Sequence, residues 1–364
     1  MSHSTKFVSE KVLSQFGINP DSQVTVFHGG HINDSFLVQD SKKSYMIQAI
    51  NKFVFPSPEN IMENMLGITE FLRKKIKECG GNSRRETLRV IKTIDGNILH
   101  IDENGDYWRC VPFIDNTTAY EFVTGLPMLE SAGSAFGNFL NMLSDYPAET
   151  LHEIIKDFHN TPARYEQLMD AIKKDSEGRV CDVSEEIEFA MSRKDDCAHL
   201  ITLYEEHKIP LRVTHNDTKM SNILFDNDTH QPICIIDLDT VMPGFSAFDF
   251  GDSIRAGATT AAEDEADLSK VHFNIDAFEA FAKGYLGEAG KALTEEEVHS
   301  LSYGAKLITL EVGMRFLADY LNGNVYFRTE YPEHNLVRAR NQFKLVSEME
   351  TQMKQMDEIV CKYF

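Results

Sequence analysis

Positive charge is scarce in this chain of 364 residues: 36 lysines and arginines face 57 aspartates and glutamates, a formal net charge of −21. Nucleic acids and anionic membranes are gripped through basic patches, so the deficit argues against either as the main partner. Cysteine is sparse and unpatterned. Cys79, Cys110, Cys181, Cys197, Cys234 and Cys361 contain no CxxC and no paired His/Cys spacing. That disfavours a structural zinc or a disulfide framework and suits free thiols in a reducing cytoplasm. Long hydrophobic runs are missing too: no stretch approaches the roughly 18 apolar residues of a membrane span. The opening "MSHSTKFVSEKVLSQFGINP" lacks a signal peptide's apolar core. A soluble, cytoplasmic protein is the expectation.

What is present is a globular composition, 42% hydrophobic and 26% charged, with length for two or three domain-sized units. Residues 20–114 read as a small antiparallel sheet carrying one helix. "QVTVF", "SFLV" and "SYMIQAI" alternate and are separated by turns, and further strands are expected around Leu88–Lys92, Ile98–Ile101 and Tyr107–Ile114. "SPENIMENMLGITEFLRKK" has helical spacing, with Ser57 or Pro58 at its start. After Asp115 apolar residues recur every three or four positions, Thr294 and Glu297 stand in capping-box spacing, and the C-terminus reads as one long amphipathic helix. Its methionines Met349, Met353 and Met356 are expected to fill core. The expected fold class is α+β with two lobes, a small antiparallel sheet lobe over residues 1–112 and a larger, mainly helical lobe over 113–364.

One strand-rich insertion, Leu211 to Met242, interrupts the helical half. It runs strand, polar loop "HNDTKMSN", strand "ILF", turn "DNDTHQP", strand "ICII", then Asp237-Leu238-Asp239. A hairpin between Asn222 and Asp237 brings carboxylates and an amide to one end of a small sheet. Such oxygen donors suit Mg²⁺, which keeps water and phosphate oxygens in its shell. The spacing matches the kinase template H-R-D-L-x-x-x-N, followed by a metal-binding Asp after the next hairpin. On that template Asp217 orients or deprotonates the attacking hydroxyl, Asn222 and Asp237 hold the metal, and Lys219 stands near the transferred phosphoryl group. His215 reads as an anchor of the loop, Asp249 in "FDFGDSIR" as its brace, and Asp239 as either a further ligand or a cap of the acidic loop.

With those stretches and "GHIN", "ESAGSAFGNF", "HNTPARY", "EDEADLSKVHF", "GMRFLADYLNG" and "YFRTEYPEHNLVRAR", the chain resembles the aminoglycoside phosphotransferase/choline kinase superfamily, and within it the N-acetylhexosamine 1-kinases. The resemblance implies a kinase-like fold and a reaction in which ATP and Mg²⁺ phosphorylate the anomeric hydroxyl of N-acetylglucosamine or N-acetylgalactosamine. It implies Asp217 as base, Asn222 and Asp237 at the metal, Arg315 and Tyr326 at the sugar, and main-chain groups of Pro112 and Ile114 at the adenine edge. An arginine fork and a tyrosine hydroxyl suit an acetamido group and ring hydroxyls. Taken alone, Arg315 reads as an i,i+4 partner of Asp319.

Two departures from the protein-kinase pattern stand out. "FHGGHINDSF" has no G-x-G-x-x-G, which leaves Gly29, Gly30 and the adjoining His31 to cover phosphates. "YMIQ" places Gln48 where V-A-I-K places its lysine, so positive charge on the phosphates must come from elsewhere, with Lys219 and Mg²⁺ as the expected sources. Other acceptors compete: an amino alcohol, another sugar or an aminoglycoside. A quaternary ammonium site favours aromatic cages, and Trp108 is the sole tryptophan. A nucleotide-binding pseudokinase is the non-enzymatic alternative. It is permitted by Gln48 and opposed by the intact Asp217, Asn222 and Asp237. The oligomeric state is not legible in the sequence.

Overall fold

A computed structural model describes residues 6–28, 32–41 and 43–364. The chain begins with α1 (Glu10–Gln15), β1 (Gln23–Phe27), β2 (Asp34–Asp40), β3 (Lys43–Ala49), α2 (Pro58–Glu78), β4 (His100–Ile101), β5 (Tyr107–Pro112) and β6 (Thr117–Ala119). Helices α3 (Leu126–Met142), α4 (Thr161–Lys174), α5 (Ser184–Met191) and α6 (His199–Glu205) follow. Short strands β7 (Arg212–Thr214), β8 (Ile223–Asp226), β9 (Pro232–Ile235) and β10 (Met242–Gly244) interrupt them. The chain ends in α7 (Ser246–Gly257), α8 (Ile275–Ala289), α9 (Glu295–His299), α10 (Leu301–Leu321) and α11 (His334–Tyr363). Two compact units emerge, the first made of Met1–Ala119, Asp145–Ile155 and Asn222–Met242, and the second of Tyr120–Ser144, Lys156–Ser221 and Pro243–Phe364.

The first unit is built on a five-stranded antiparallel sheet in the order β1-β2-β3-β5-β4. Period-two alternation sorts its faces. Phe36 and Val38 of β2, Ile47 and Ala49 of β3, and Trp108 and Cys110 of β5 point one way and bury against Val12, Leu13 and Phe16 at α1. Each such large apolar side chain stabilises the unit by about 1.5–3 kcal/mol when fully buried. The intervening residues, Ser35, Gln48 and Arg109, point the other way. They are directly opposed across the strands, Ser35 to Gln48 and Gln48 to Arg109. Helix α2 starts with Pro58 at its first turn behind Ser57 and buries Ile61, Met62, Met65, Ile68 and Leu72 along one stripe.

Leu88–Lys92 alternates like a strand but is not one: only the Ile91 N–H reaches β5, donating to the Cys110 carbonyl at 2.9 Å. A single bond makes no ladder. The last strand of the sheet also stops at Pro112, which has no N–H to continue it. Residues 223–235 form the expected hairpin of β8 and β9, and β6 adds a third strand that local pattern did not announce.

The second unit is helical. Helices α3 and α8 approach through glycine: a Cβ at Gly284 would lie 1.9 Å from the Glu130 carbonyl oxygen, and one at Gly133 2.2 Å from that of Phe281. Thr294 and Glu297 do form a capping box, but it opens the short α9, and α10 begins afresh after Ser300. Helix α11 is the long C-terminal helix, with Met349 and Met356 fully buried. Among the described residues no helix is long and apolar enough to cross a membrane.

Candidate active site

The residues singled out in the sequence divide between the units. Gln48, Pro112, Ile114, Asn222 and Asp237 belong to the first, and Asp217, Lys219, Arg315 and Tyr326 to the second. Gly29, Gly30 and His31 lie outside the described residues.

In the second unit the loop after β7 is locked from below. His215 is fully buried, edge-on to Phe136 and Phe139 at centroid distances of 5.9 and 6.0 Å. The N–H groups of His215 and Asn216 each donate to a different oxygen of Asp249 at 2.7 Å. One turn further along α7, Asp252 accepts from the Thr218 N–H at 3.0 Å, while the Thr218 hydroxyl donates to the Asp249 carbonyl at 2.6 Å. The Ser253 hydroxyl donates to the Thr218 carbonyl at 2.9 Å. Asp249 is therefore the brace of this loop. Burial pushes its carboxyl up, against the pull of His215 and the two N–H donors. Burial also opposes ionisation of Asp252, but Arg255 beside it prevails and holds that carboxyl below the usual range. The Asp217 N–H donates to Nδ1 of His215 at 3.3 Å, which ties the start of the loop to the buried ring. Against this fixed backbone the Asp217 carboxylate and the Lys219 ammonium stay partly exposed, 2.9 Å apart.

A second cluster in the same unit surrounds Arg315. Glu311, Arg315 and Asp319 repeat at four-residue spacing on one face of α10. Glu311 is buried, with His159 Nδ1 at 2.9 Å and the Thr161 hydroxyl donating at 2.7 Å. Burial works against its ionisation, but His159 and Arg315 prevail and hold its pKa below the usual value. Asp319 is not the ion-pair partner that i,i+4 spacing offered Arg315. Its carboxylate accepts the N–H groups of Val325, Tyr326 and Phe327 at 2.8–3.0 Å and the Asn335 amide at 2.8 Å, so it shapes the segment that carries Tyr326. The Arg315 guanidinium sits instead among rings, 5.3 Å from the centroid of Phe158, 5.8 Å from Tyr326 and 5.5 Å from Phe327. Among the described residues it has no ion pair. Arg164 lies near enough that Arg315, after burial, lowers its pKa. The two clusters share α7, because Phe248 packs on His159 at 5.0 Å while its neighbour Asp249 holds the loop of Asp217.

In the first unit the β8–β9 hairpin is closed at its open end by the Ile236 N–H, which donates to the Asn222 carbonyl at 2.9 Å. Asn222 and Asp237 thus flank one bond. Asp237 is left-handed, φ 60° and ψ 56°, a conformation costing a non-glycine residue about 1–3 kcal/mol, tolerated best by Asn and Asp. An amide and a carboxylate are a sparse donor set. They suit an ion that completes its shell with water and phosphate, as Mg²⁺ does, and not one needing an all-protein cage. Asp239 is held on both oxygens: Arg109 grips them as a fork, and the Asn33 amide donates to Oδ2 at 2.6 Å. At β5 the Phe113 N–H is engaged by the Ser44 carbonyl at 2.9 Å. Strand alternation then directs the Pro112 carbonyl and the Ile114 N–H away from β3, the pair of groups an adenine edge needs.

The family model described as a phosphotransferase enzyme family, APH, matches residues 23–285, well over half of the chain. The chain belongs to that family. Solved structures share the fold of this phosphotransferase along nearly its whole length. A microcompartment-associated aminopropanol kinase matches with a TM-score of 0.64 and 15% identity, covering 96% of this chain and 97% of that one. A spectinomycin phosphotransferase in complex with ADP and spectinomycin gives 0.57 and 14%, over 95% and 97%. The Plasmodium vivax ethanolamine kinase gives 0.56 and 15%, over 94% and 92%. At such identities the likeness is one of fold, that of the small-molecule kinases.

Phe158, His159, Arg164, Glu311 and Phe327 carried no assigned role in the sequence reading, although "HNTPARY" contains two of them, His159 and Arg164. The usable signal was the four-residue spacing of Glu311, Arg315 and Asp319.

Proposed function

We propose that this phosphotransferase is an ATP- and Mg²⁺-dependent N-acetylhexosamine 1-kinase. The observation that carries the acceptor class is Arg315, half-buried among three aromatic rings, beside Arg164 and without an ion pair among the described residues. A cationic acceptor, such as the amines named for the aminopropanol and ethanolamine kinases, would meet two guanidiniums there and be repelled. A neutral sugar bearing an acetamido carbonyl and several hydroxyls offers what an arginine fork wants, acceptors in a plane. Tyr326 adds a ring to pack on the sugar and a hydroxyl to bond it.

In this reading Asp217 takes the proton of the anomeric hydroxyl as it attacks. Its loop is immobilised through Asp249 and Asp252, so the carboxylate meets the hydroxyl without reorganising. Lys219 places positive charge beside the moving phosphoryl group. Asn222 and Asp237 would hold Mg²⁺, which neutralises phosphate charge when bound. Gln48, Gly29, Gly30 and His31 belong to the nucleotide side, and Pro112 and Ile114 to the adenine edge. The spectinomycin phosphotransferase complex with ADP, and an amicoumacin kinase bound to AMP-PNP and Ca²⁺, support that choice of cofactors.

The test is Mg²⁺-dependent ADP release from ATP with N-acetylglucosamine, N-acetylgalactosamine, glucose, galactose, choline and kanamycin in parallel. Turnover is expected with one or both N-acetylhexosamines and none with choline or kanamycin. Silence with both acetamido sugars removes the proposed acceptor. Asp217→Asn is expected to lower kcat by at least ~10²-fold, and undiminished turnover in that variant would remove the assigned base.

A further inference from the structure

The position that holds lysine in the kinase template holds Gln48 here, and the face of the sheet it occupies is organised around a different cation. The Gln48 amide donates to the Ser35 hydroxyl at 2.9 Å, and its carbonyl accepts from Nε of Arg109 at 2.9 Å. The far side of the Arg109 guanidinium takes Asp239 as a fork, with Nη2 to Oδ2 at 3.0 Å and Nη1 on Oδ1. Asn33, three residues beyond Gly30, donates its amide to the same Oδ2 and accepts the Asn51 N–H at 2.9 Å. Arg109 and Asp239 are each about 3% exposed, so this pair is insulated from water and its geometry is rigid. On the other side of the short turn at Leu238–Thr240, the buried Asn64 of α2 donates to the Val241 carbonyl at 2.9 Å.

We propose that Arg109 is a positioning residue for metal binding, acting through Asp239 to hold Asp237 in the left-handed conformation from which its carboxylate meets Mg²⁺. The left-handed residue needs restraint on both sides. Behind it stands the Ile236–Asn222 bond, and ahead of it stand the Arg109 fork two residues on and Asn64 four residues on. Arg109 spends an N–H of each of its three nitrogens on Gln48 and Asp239, so its guanidinium is oriented by the sheet and the turn. Asp239 has both oxygens held by Arg109 and Asn33, so the turn that follows Asp237 is fixed in place. In place of a lysine that grips the nucleotide directly, the fold carries a cation that fixes the metal-binding turn. The inference rests on Asp237 and Asn222 holding Mg²⁺ with ATP, and it does not depend on which acceptor is phosphorylated.

The test is acceptor-free. ATP affinity is measured by titration calorimetry across a Mg²⁺ series and in EDTA, for the wild-type chain, Arg109→Lys and the double variant R109M/D239L. The double variant removes both members of the buried pair together, which a fold tolerates better than one orphaned charge. Its folding is checked by thermal unfolding. The expected result is a rise of at least ~10-fold in the Mg²⁺ concentration for half-maximal effect in R109M/D239L. Arg109→Lys, which lacks the fork, should give a smaller rise, with affinity in EDTA unchanged for both. A folded double variant whose Mg²⁺ response stays within twofold of wild type overturns the proposal. An equal loss of ATP affinity with and without Mg²⁺ also overturns it, because Arg109 would then act on the nucleotide itself. If the wild-type chain gains no ATP affinity from Mg²⁺, the metal assignment fails first and takes this inference with it.

Discussion

Lys219 and Asp217 form an ion pair whose side chains are 39% and 32% exposed, and that exposure separates two effects of removing the lysine. A pair so open to water contributes about 0–1 kcal/mol to folding. Charge placed against a phosphoryl group in flight is worth far more, about 2.7–4 kcal/mol for a single well-placed donor. Lys219→Ala is therefore expected to unfold within a degree or two of wild type while kcat falls by ~10²-fold or more. Steady-state kinetics with a thermal melt check both halves, and near-normal kcat would assign the phosphate-side charge elsewhere. The candidate loop stood out at this scale because its polar residues are close in sequence: Asp217, Lys219 and Asn222 fall within six positions. Asp239 did not. Its partner Arg109 lies 130 positions earlier, and nothing near either residue points to the other. Arg315 lay between these cases. Its neighbour Asp319 was visible, but not that backbone N–H groups six to eight positions further on would claim that carboxylate.

Helix α8 shows how packing decides the sign of one substitution. Alanine in place of glycine inside a helix gains about 0.5–1 kcal/mol where space allows. At Gly287 nothing lies within 4 Å of the added Cβ, so Gly287→Ala should stabilise by about that amount. At Gly284 the same methyl meets the Glu130 backbone oxygen at 1.9 Å, and α3 must retreat. Gly284→Ala should cost at least about 1–3 kcal/mol. Chemical denaturation of the two variants checks the opposite signs. Most elements were legible from periodicity, including α2, α11 and the β8–β9 hairpin. The errors came where a strand depends on a partner. Leu88–Lys92 alternates but gains one hydrogen bond from β5, whereas Thr117–Ala119 lacks a strong pattern and is a strand because β8 lies beside it.

Over the whole chain, acid is the informative stress. Asp252 and Glu311 have pKa values held below their ordinary values of 3.8 and 4.5, so the native state binds their protons more weakly than the unfolded state does. Their stabilising contribution is complete above the unfolded values and is lost as pH falls through the lower folded ones. Asp249 runs the other way: its raised value means that ionising it costs stability as pH climbs from 3.8. Below about pH 4 the first two dominate. Stability from urea unfolding should therefore fall steeply there, and Asp252→Asn should flatten that acid limb while starting from a lower plateau. An unchanged limb in the variant would remove Asp252 from the account. The division into a sheet part and a helical part was legible because the hydrophobic period changes from two to 3.6 along the chain. That Asn222–Met242 clusters with the sheet part was not, since no local signal tells a hairpin which distant core it will join.

The row Ser35–Gln48–Arg109 also constrains how this sequence can drift. A lysine at position 48 would restore the kinase template on paper, yet it would set an ammonium against a buried guanidinium and remove the carbonyl that Nε of Arg109 needs. Positions 48, 109 and 239 are therefore expected to vary as a set in related sequences, with lysine at the first accompanied by loss of arginine at the second. The glutamine is less a missing lysine than one member of a three-residue allele.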